Sequence, residues 1–226
     1  MANLTQLRML ENLDGFLLVD KPVGIPFTTV VKTVKRKFNL VKVGHGGSLD
    51  AMASGLLVLL VNNANRFVGD VMGADRAYVG TMKFGATTDT GDRYGRPVPQ
   101  PGRTMAPSEV KGDVFQVEPR FCSVRKEGSP DYEIADTGEH RQFLAHVYRF
   151  DVEGDSGDGT TPFSLLASKS VIVRALAQDL GATLMSLRRT RVGKFDVADA
   201  VPFDRLLETG LGDFASCVKP VSTFLR

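Results

Sequence analysis

A chain of 226 residues that is 42% hydrophobic and 24% charged has an ordinary globular composition, with room for one well-buried core and too little for two full domains. Its longest apolar run falls far short of a membrane span. The start, MANLTQLRMLENLDG, has neither the basic-then-apolar order of a secretory signal nor the acid-poor composition of a transit peptide, so a cytoplasmic protein without membrane contact is expected. A net charge of +2 excludes little on its own, and Cys122 and Cys217 lack metal spacing, so both are expected as reduced thiols.

In chain order, Phe16 to Val19 reads as a short apolar strand ended by the irregular DKPVGIP segment. Thr28 or Thr29 can then cap a helix in which Val30, Val31, Val34 and Phe38 form the inward face and Lys32, Lys35 and Arg36 point outward. The run from Lys32 to Lys42 carries five basic residues and no acid. It leads into VGHGGSLDAMASG, where Asp50 is the single carboxylate among small residues. Gly44, Gly46, Gly47, Ala51, Ala53 and Gly55 read as room for a bulky group to approach the backbone, so a pocket is expected there. Leu56 to Val61 reads as a strand buried on both faces, and Asn62 to Met72 as a helix with an Asn cap.

Arg76 to Gly85 alternates so that Tyr78, Gly80, Met82 and Phe84 share one face of a half-exposed strand. Residues 86–107 are dense in turn formers and predict a loop or hairpin leading to a short helix at Ser108. Phe121 to His140 reads as an insertion between strands. Strands near Phe143–Val152 and Phe163–Ser168 bracket the acidic tip DVEGDSGDGTTP. A helix from about Ser170 to Leu184, with Val171, Leu176 and Leu180 inward, is expected before the second basic stretch, in which Arg188, Arg189, Arg191 and Lys194 stand without an acid. Both basic stretches read equally as nucleic-acid contacts or as solvated faces. No internal repeat is present, and the order of elements predicts an α+β fold with a mixed, largely antiparallel central sheet flanked by helices.

Several motif matches carry no chemistry. GDSGD at 154–158 imitates a serine-protease nucleophile but sits in an acidic hairpin tip, and HGGS at 45–48 imitates an esterase loop in a chain without a nucleophile elbow. The three histidines, His45, His140 and His146, lack zinc-type spacing, and no Gly-Lys-Ser/Thr follows the glycines.

DGFLLVDKPVGIPFTTVVKTVKRKF, KVGHGGSLDAMASGLLVLLVNNANR and DRAYVGTMKFGATTDTGDRYG, in that order, resemble the TruB-type tRNA pseudouridine synthases, whose hallmarks include K-P-x-G and G-H-x-G-x-L-D-x-x-A-x-G. The resemblance covers residues 15–96 and returns in VIVRALAQDLG and LRRTRVGKF, from about 168 to 195. It implies a pseudouridine synthase fold and the isomerisation of a uridine in the T-loop of tRNA, position 55, with neither metal nor cofactor. Asp50 matches the essential aspartate, acting as nucleophile or as base in an elimination. Arg174 matches the arginine that pairs with it. Tyr78 matches a tyrosine that stacks on the flipped base and helps move a proton, a sheet-face aromatic being its bland alternative. These three form the expected catalytic set.

The resemblance further implies that His45 fills the space left by the extruded nucleotide, that Lys21 supports the active-site loop at the RNA-binding face, and that Leu187 packs beneath the base. Lys126, in an RNA-gripping insertion spanning about 121–140, matches a phosphate contact. Lys35, Arg36, Arg188 and Arg189 then become phosphate contacts that position the RNA. The chain departs from the family in three places: Ala51 replaces the usual proline, Ile172 stands where a tyrosine is usual, and the connection GATLMSLRR is short. With the end at VKPVSTFLR, a single catalytic domain, 1–226, without a PUA domain is expected, a monomer whose partner is the T-arm stem-loop of tRNA. The alternative is a TruB-like RNA-binding, tRNA-folding or assembly factor with weak or no catalysis, which Ile172 and the missing domain favour and which Asp50, Tyr78 and Arg174 oppose.

Overall fold

The computed structural model describes residues 13–99, 105–117, 142–154 and 156–225, and the backbone of 121–125 and 132–136. Two compact units emerge: Met1–Ala74 with Arg189–Arg226, and Asp75–Arg188.

The first unit opens with β1 (Gly15–Lys21), α1 (Phe27–Lys37), β2 (Val43–His45) and β3 (Ser54–Val61). β1 and β3 pair antiparallel from Gly15↔Val61 to Lys21↔Gly55, and β2 flanks β3 at its other side through Val43↔Val61 and His45↔Leu59. β3 is buried from Gly55 to Val61, which is why that segment is apolar without alternation. α1 follows the expected periodicity: Phe27, Val30 and Val34 are buried, and Lys32, Lys35, Arg36 and Lys37 are exposed. Its start differs from expectation. Neither threonine caps it; Pro26 takes the cap position at φ −58° and ψ 137°, its carbonyl accepting from Thr29 N at 3.0 Å. A ring that presets φ and lacks an N–H suits that place. After α1, the Phe38 ring stacks on Phe214 with centroids 3.7 Å apart.

Asn62 is not a helix cap either. It takes a left-handed φ of 48°, its Oδ1 accepts from Lys42 N at 3.1 Å and its Nδ2 donates to Leu13 O at 2.9 Å. The expected helix is therefore split into a 3-10 stretch, Asn62–Phe67, and α2 (Val68–Gly73).

The second unit contains β4 (Arg76–Phe84), the short hairpin β5 (Thr87–Thr88) and β6 (Pro97–Val98), β7 (Gly112–Val117), the hairpin β8 (Phe121–Arg125) and β9 (Tyr132–Asp136), β10 (Gln142–Val152) and β11 (Thr161–Ala167). Its sheet runs β4-β11-β10-β7, antiparallel throughout. The expected insertion contains the paired β8 and β9, and Lys126 lies outside the described residues. α3 (Val173–Asp179) is half the expected length. Gly181 adopts φ 65° and its N–H returns to Gln178 O at 2.9 Å, so the helix closes and β12 (Ala182–Val192) begins at once.

β12 carries the chain back into the first unit, where β13 (Phe195–Asp196), β14 (Val201–Pro202), α4 (Phe203–Glu208), α5 (Leu211–Cys217), β15 (Val218–Pro220) and α6 (Ser222–Leu225) complete it. β14 runs parallel to β1 at Val19↔Val201, and β15 antiparallel at Leu17↔Val218, so this sheet is mixed. Phe16, Leu18, Leu56, Val58, Leu60, Val71, Val192 and Phe195 pack into its core. Mixed and antiparallel sheets with flanking helices give the expected α+β class.

Candidate active site

Asp50 stands half-buried in the connection from β2 to β3, and backbone bonds define that connection on every side. Gly46 N donates to Val58 O at 2.8 Å, Ala53 N to Asp50 O at 3.1 Å, and Gly24 N, from the loop after β1, to Ala51 O at 2.7 Å. From within the unit, the Arg189 guanidinium donates through Nε to Leu56 O at 2.8 Å, through Nη1 to Ser48 O at 2.8 Å and through Nη2 to Gly47 O at 3.4 Å.

Gly44, Gly46 and Gly55 do not keep space open for a ligand, as the number of glycines suggested. A Cβ on Gly44 would run into the Asn65 side chain, one on Gly46 into Val71, and one on Gly55 into the Arg189 backbone. Gly55 also holds φ +103°, a conformation that side chains rarely adopt. The protein's own groups use the room.

Lys21 is fully buried at the end of β1, and its Nζ donates to Pro22 O at 2.8 Å and Ile25 O at 2.9 Å. It ties together the loop whose Gly24 N–H meets Ala51 O, and it offers no exposed ammonium for RNA, which corrects its place among the RNA contacts. Burial pushes its ammonium down to about 8; the Asp50 carboxylate opposes that shift and Arg189 adds to it. The His45 ring packs at a tilt of 58° against Phe27, 4.9 Å between centroids.

In the second unit, Tyr78 lies on the buried face of β4, opposite Leu165. Arg174 is 7% exposed and its Nη1 donates to Thr90 O at 2.8 Å. The turn that supplies this carbonyl is itself knitted: Asp92 Oδ1 accepts from Thr90 Oγ1 and from Tyr94 N, both at 2.9 Å, and Thr88 Oγ1 donates to Asp92 O at 2.7 Å. Gly91, at φ +75°, passes where a Cβ would press on the Arg174 carbonyl. Sequence reasoning placed this turn but missed its use; the Thr-Asp-Thr-Gly-Asp pattern of self-bonding side chains was the available signal.

Ile172 precedes α3 with its N–H and C=O both engaged by the buried Gln116 amide, at 2.9 and 3.1 Å. The backbone entering the Arg174 helix is thus held without help from the side chain at 172. Leu187 is buried, Arg188 is half-buried, and Lys35 and Arg36 are exposed on α1. Arg189 is 1% exposed and cannot be the surface phosphate contact that the sequence suggested. In the GDSGD stretch, Ser156 is exposed and its N–H donates to Thr160 O at 2.9 Å, which makes it a hairpin tip. Burial raises the Asp179 carboxyl to about 6. Among the described residues, no group of three or more His, Cys, Asp or Glu could hold a metal, and no helix is long and apolar enough to cross a membrane.

The fold recurs in the solved Cbf5-Nop10-Gar1 complex, to a chain of which this one is 25% identical with a TM-score of 0.66, covering 95% of this chain and 62% of that one. It recurs also in an H/ACA RNP bound to a substrate RNA containing 2'-deoxyuridine, at 23% identity and a TM-score of 0.63, with 94% and 58% covered. The present chain therefore spans about three fifths of those solved chains. The architecture is that of the pseudouridine synthases. Residues 35–152 match the model of the TruB family pseudouridylate synthase N-terminal domain. The "tRNA pseudouridine synthase B" of Bordetella avium is 35% identical over 215 residues, 87% of this chain and 88% of that protein. The protein of the same name from Gluconacetobacter diazotrophicus is 34% identical over 232 residues, 94% of this chain and 76% of that one. The chain belongs to the TruB family of pseudouridylate synthases.

Proposed function

We propose that this chain isomerises uridine to pseudouridine in tRNA, at position 55 in the T-loop, with Asp50 as the catalytic carboxylate. In that reaction the N1–C1′ bond breaks, the base turns, C5 bonds to C1′, and the proton lost from C5 is balanced by one gained at N1. Product and substrate are isomers, so the step needs no oxidant or reductant. Asp50 acts in it as nucleophile or as the base of an elimination.

The observation that carries this reading is the bracing of Asp50: it is the single carboxylate of a loop whose carbonyls at Gly47, Ser48 and Ala51 are all bonded, with the buried cations Lys21 and Arg189 in the same unit. A loop fixed at so many points suits a carboxylate that must meet a reacting carbon in one geometry. The relatives named tRNA pseudouridine synthase B support tRNA as substrate. Tyr78 as the aromatic that stacks on the extruded base, and Arg174 as the cation serving the carboxylate, belong to the same proposal. So do the exposed Lys35 and Arg36, with Arg188, as phosphate contacts.

The test uses a T-arm stem-loop with tritium at C5 of its uridines, where turnover releases the label. Asp50→Asn keeps the shape and removes the charge, so release should vanish while RNA affinity stays within about threefold. Substantial release by Asp50→Asn would refute the assignment. Tight RNA binding by the unaltered protein with no release at all would instead favour a non-catalytic RNA-binding factor. Replacing uridine 55 alone by cytidine should abolish release; release that persists would move the target elsewhere.

A further inference from the structure

We infer that Arg189 is a positioning residue, whose buried guanidinium sets the path of the loop presenting Asp50 by holding the carbonyls of Gly47, Ser48 and Leu56. The inference rests on the reading of Asp50 as the catalytic carboxylate.

The geometry departs from what a strand arginine ordinarily does. Arg189 lies in an acid-free basic stretch, yet it is among the largest fully buried side chains among the described residues. A buried cation must be compensated by oxygens, and three peptide carbonyls of the same unit accept hydrogen bonds from this one. Nε takes Leu56 O, on β3 just past the loop, while Nη1 and Nη2 take Ser48 O and Gly47 O, two and three residues before Asp50. The planar fork therefore spans both arms of the loop from one rigid group. A lysine has the charge but not the fork, and could satisfy at most part of this set.

The backbone of Arg189 does related work. Gly55 passes so close that a Cβ there would run into Arg189 N and O, which keeps β3 and the start of the 189–192 segment in tight register. On the opposite flank, Lys21 braces the loop whose Gly24 N–H holds Ala51 O. Asp50 thus lies between a backbone tie one residue after it and the guanidinium ties two and three residues before it. A side chain that fixes a catalytic loop from behind controls turnover through the position of the carboxylate, and a displacement of about 1 Å costs on the order of a hundredfold in rate.

The experiment compares Arg189→Lys with the unaltered protein in single-turnover tritium release at saturating T-arm RNA, alongside RNA affinity measured at several salt concentrations. The expected result is a rate about a hundredfold lower, an unchanged affinity and an unchanged slope of log Kd against log salt. A merely structural role would not separate rate from affinity in this way in a variant that still melts cooperatively. In Arg189→Gly, added methylguanidinium should restore part of the rate, and methylammonium should not. An unchanged rate in a folded Arg189→Lys, or a salt slope lowered by about one with the rate intact, would overturn the inference in favour of a dispensable residue or a phosphate contact.

Where both variants fail to fold, the unaltered protein still decides. The Nε–H resonance of Arg189, labelled with nitrogen-15, should exchange slowly and keep its position when RNA binds; fast exchange in the free protein, or an Nε–H that shifts as an exposed arginine's does, would refute a buried clamp. Asp50→Asn, run in parallel, separates the two readings: turnover by Asp50→Asn removes the premise, whereas an inactive Asp50→Asn beside a fully active Arg189→Lys refutes only the role of Arg189.

Discussion

Two acid-free basic stretches of this chain look alike and fold into opposite roles. On α1, Lys32, Lys35 and Arg36 stand exposed while Phe27, Val30 and Val34 go inward. On β12, Leu187 and Arg189 are both buried, Arg188 is half-buried and Arg191 is exposed. The helix repeats every 3.6 residues and can give all its charges to one face, whereas a strand alternates and sends the neighbours Arg188 and Arg189 to opposite faces; Arg191, on the Arg189 face, is exposed near the strand's end. Charge density announces a surface only where the period of the element lets every charge reach it.

Breaking this contrast at its strongest point means removing the buried member. Arg189→Ala removes three hydrogen bonds donated to carbonyls in the interior, and a buried polar group left unsatisfied costs about 1–3 kcal/mol, so a destabilisation of about 3 kcal/mol or more is expected in urea unfolding. Arg36→Ala, measured in the same way, should shift stability by about 0.5 kcal/mol or less. Equal effects at the two positions would erase the distinction.

A second buried cation sharpens it through pH. Lys21 titrates at about 8 in the fold against 10.5 in its ordinary state. Between those values the unfolded chain binds the extra proton, so stability rises with pH across that window. Relative to Lys21→Met, the unaltered protein should be flat well below pH 8 and gain about 3 kcal/mol by pH 10.5. The difference in unfolding free energy between the two proteins, followed from pH 7 to 10.5, tests this; a flat difference throughout would mean an ordinary ammonium at Lys21.

How much of this was legible in the residues follows from the range over which each feature is determined. The apolar run of β3, the alternation of β4 and the face of α1 are local patterns, and all three elements formed where expected. Asp50 was found in its loop because it is isolated among small residues. The failures have distant causes. Arg189 bonds to groups 133 to 142 positions away, so nothing beside it in sequence distinguishes it from a solvated arginine. The loop glycines suggested a vacancy, and the groups that fill it, Asn65, Val71 and the Arg189 backbone, come from other elements. The early end of α3 lay closer to hand, since Gly181 is where a left-handed residue stops a helix, but the apolar spacing of Leu180 and Leu184 carried the expectation past it.

The smallest stability effect and the clearest binding effect belong to the exposed stretch. Lys35→Gln with Arg36→Gln removes two charges that lie on the outer face of α1, and glutamine has a helix propensity close to that of either residue, so unfolding free energy should change by about 0.5 kcal/mol or less. Lys37 is left in place because its Nζ donates to Leu207 O at 2.6 Å, and its removal would mix a structural loss with the loss of charge. If Lys35 and Arg36 each neutralise one phosphate of the T-arm, the slope of log Kd against log salt should fall by about 1.4 to 1.8 for the pair, from a value near 0.7 to 0.9 per contact. Titrating the stem-loop at several salt concentrations reads that slope directly. An unchanged slope would show that α1 is a solvated face, as its charge pattern alone also permits, and would move the search for phosphate contacts to Arg188, Arg191 and the 121–140 insertion.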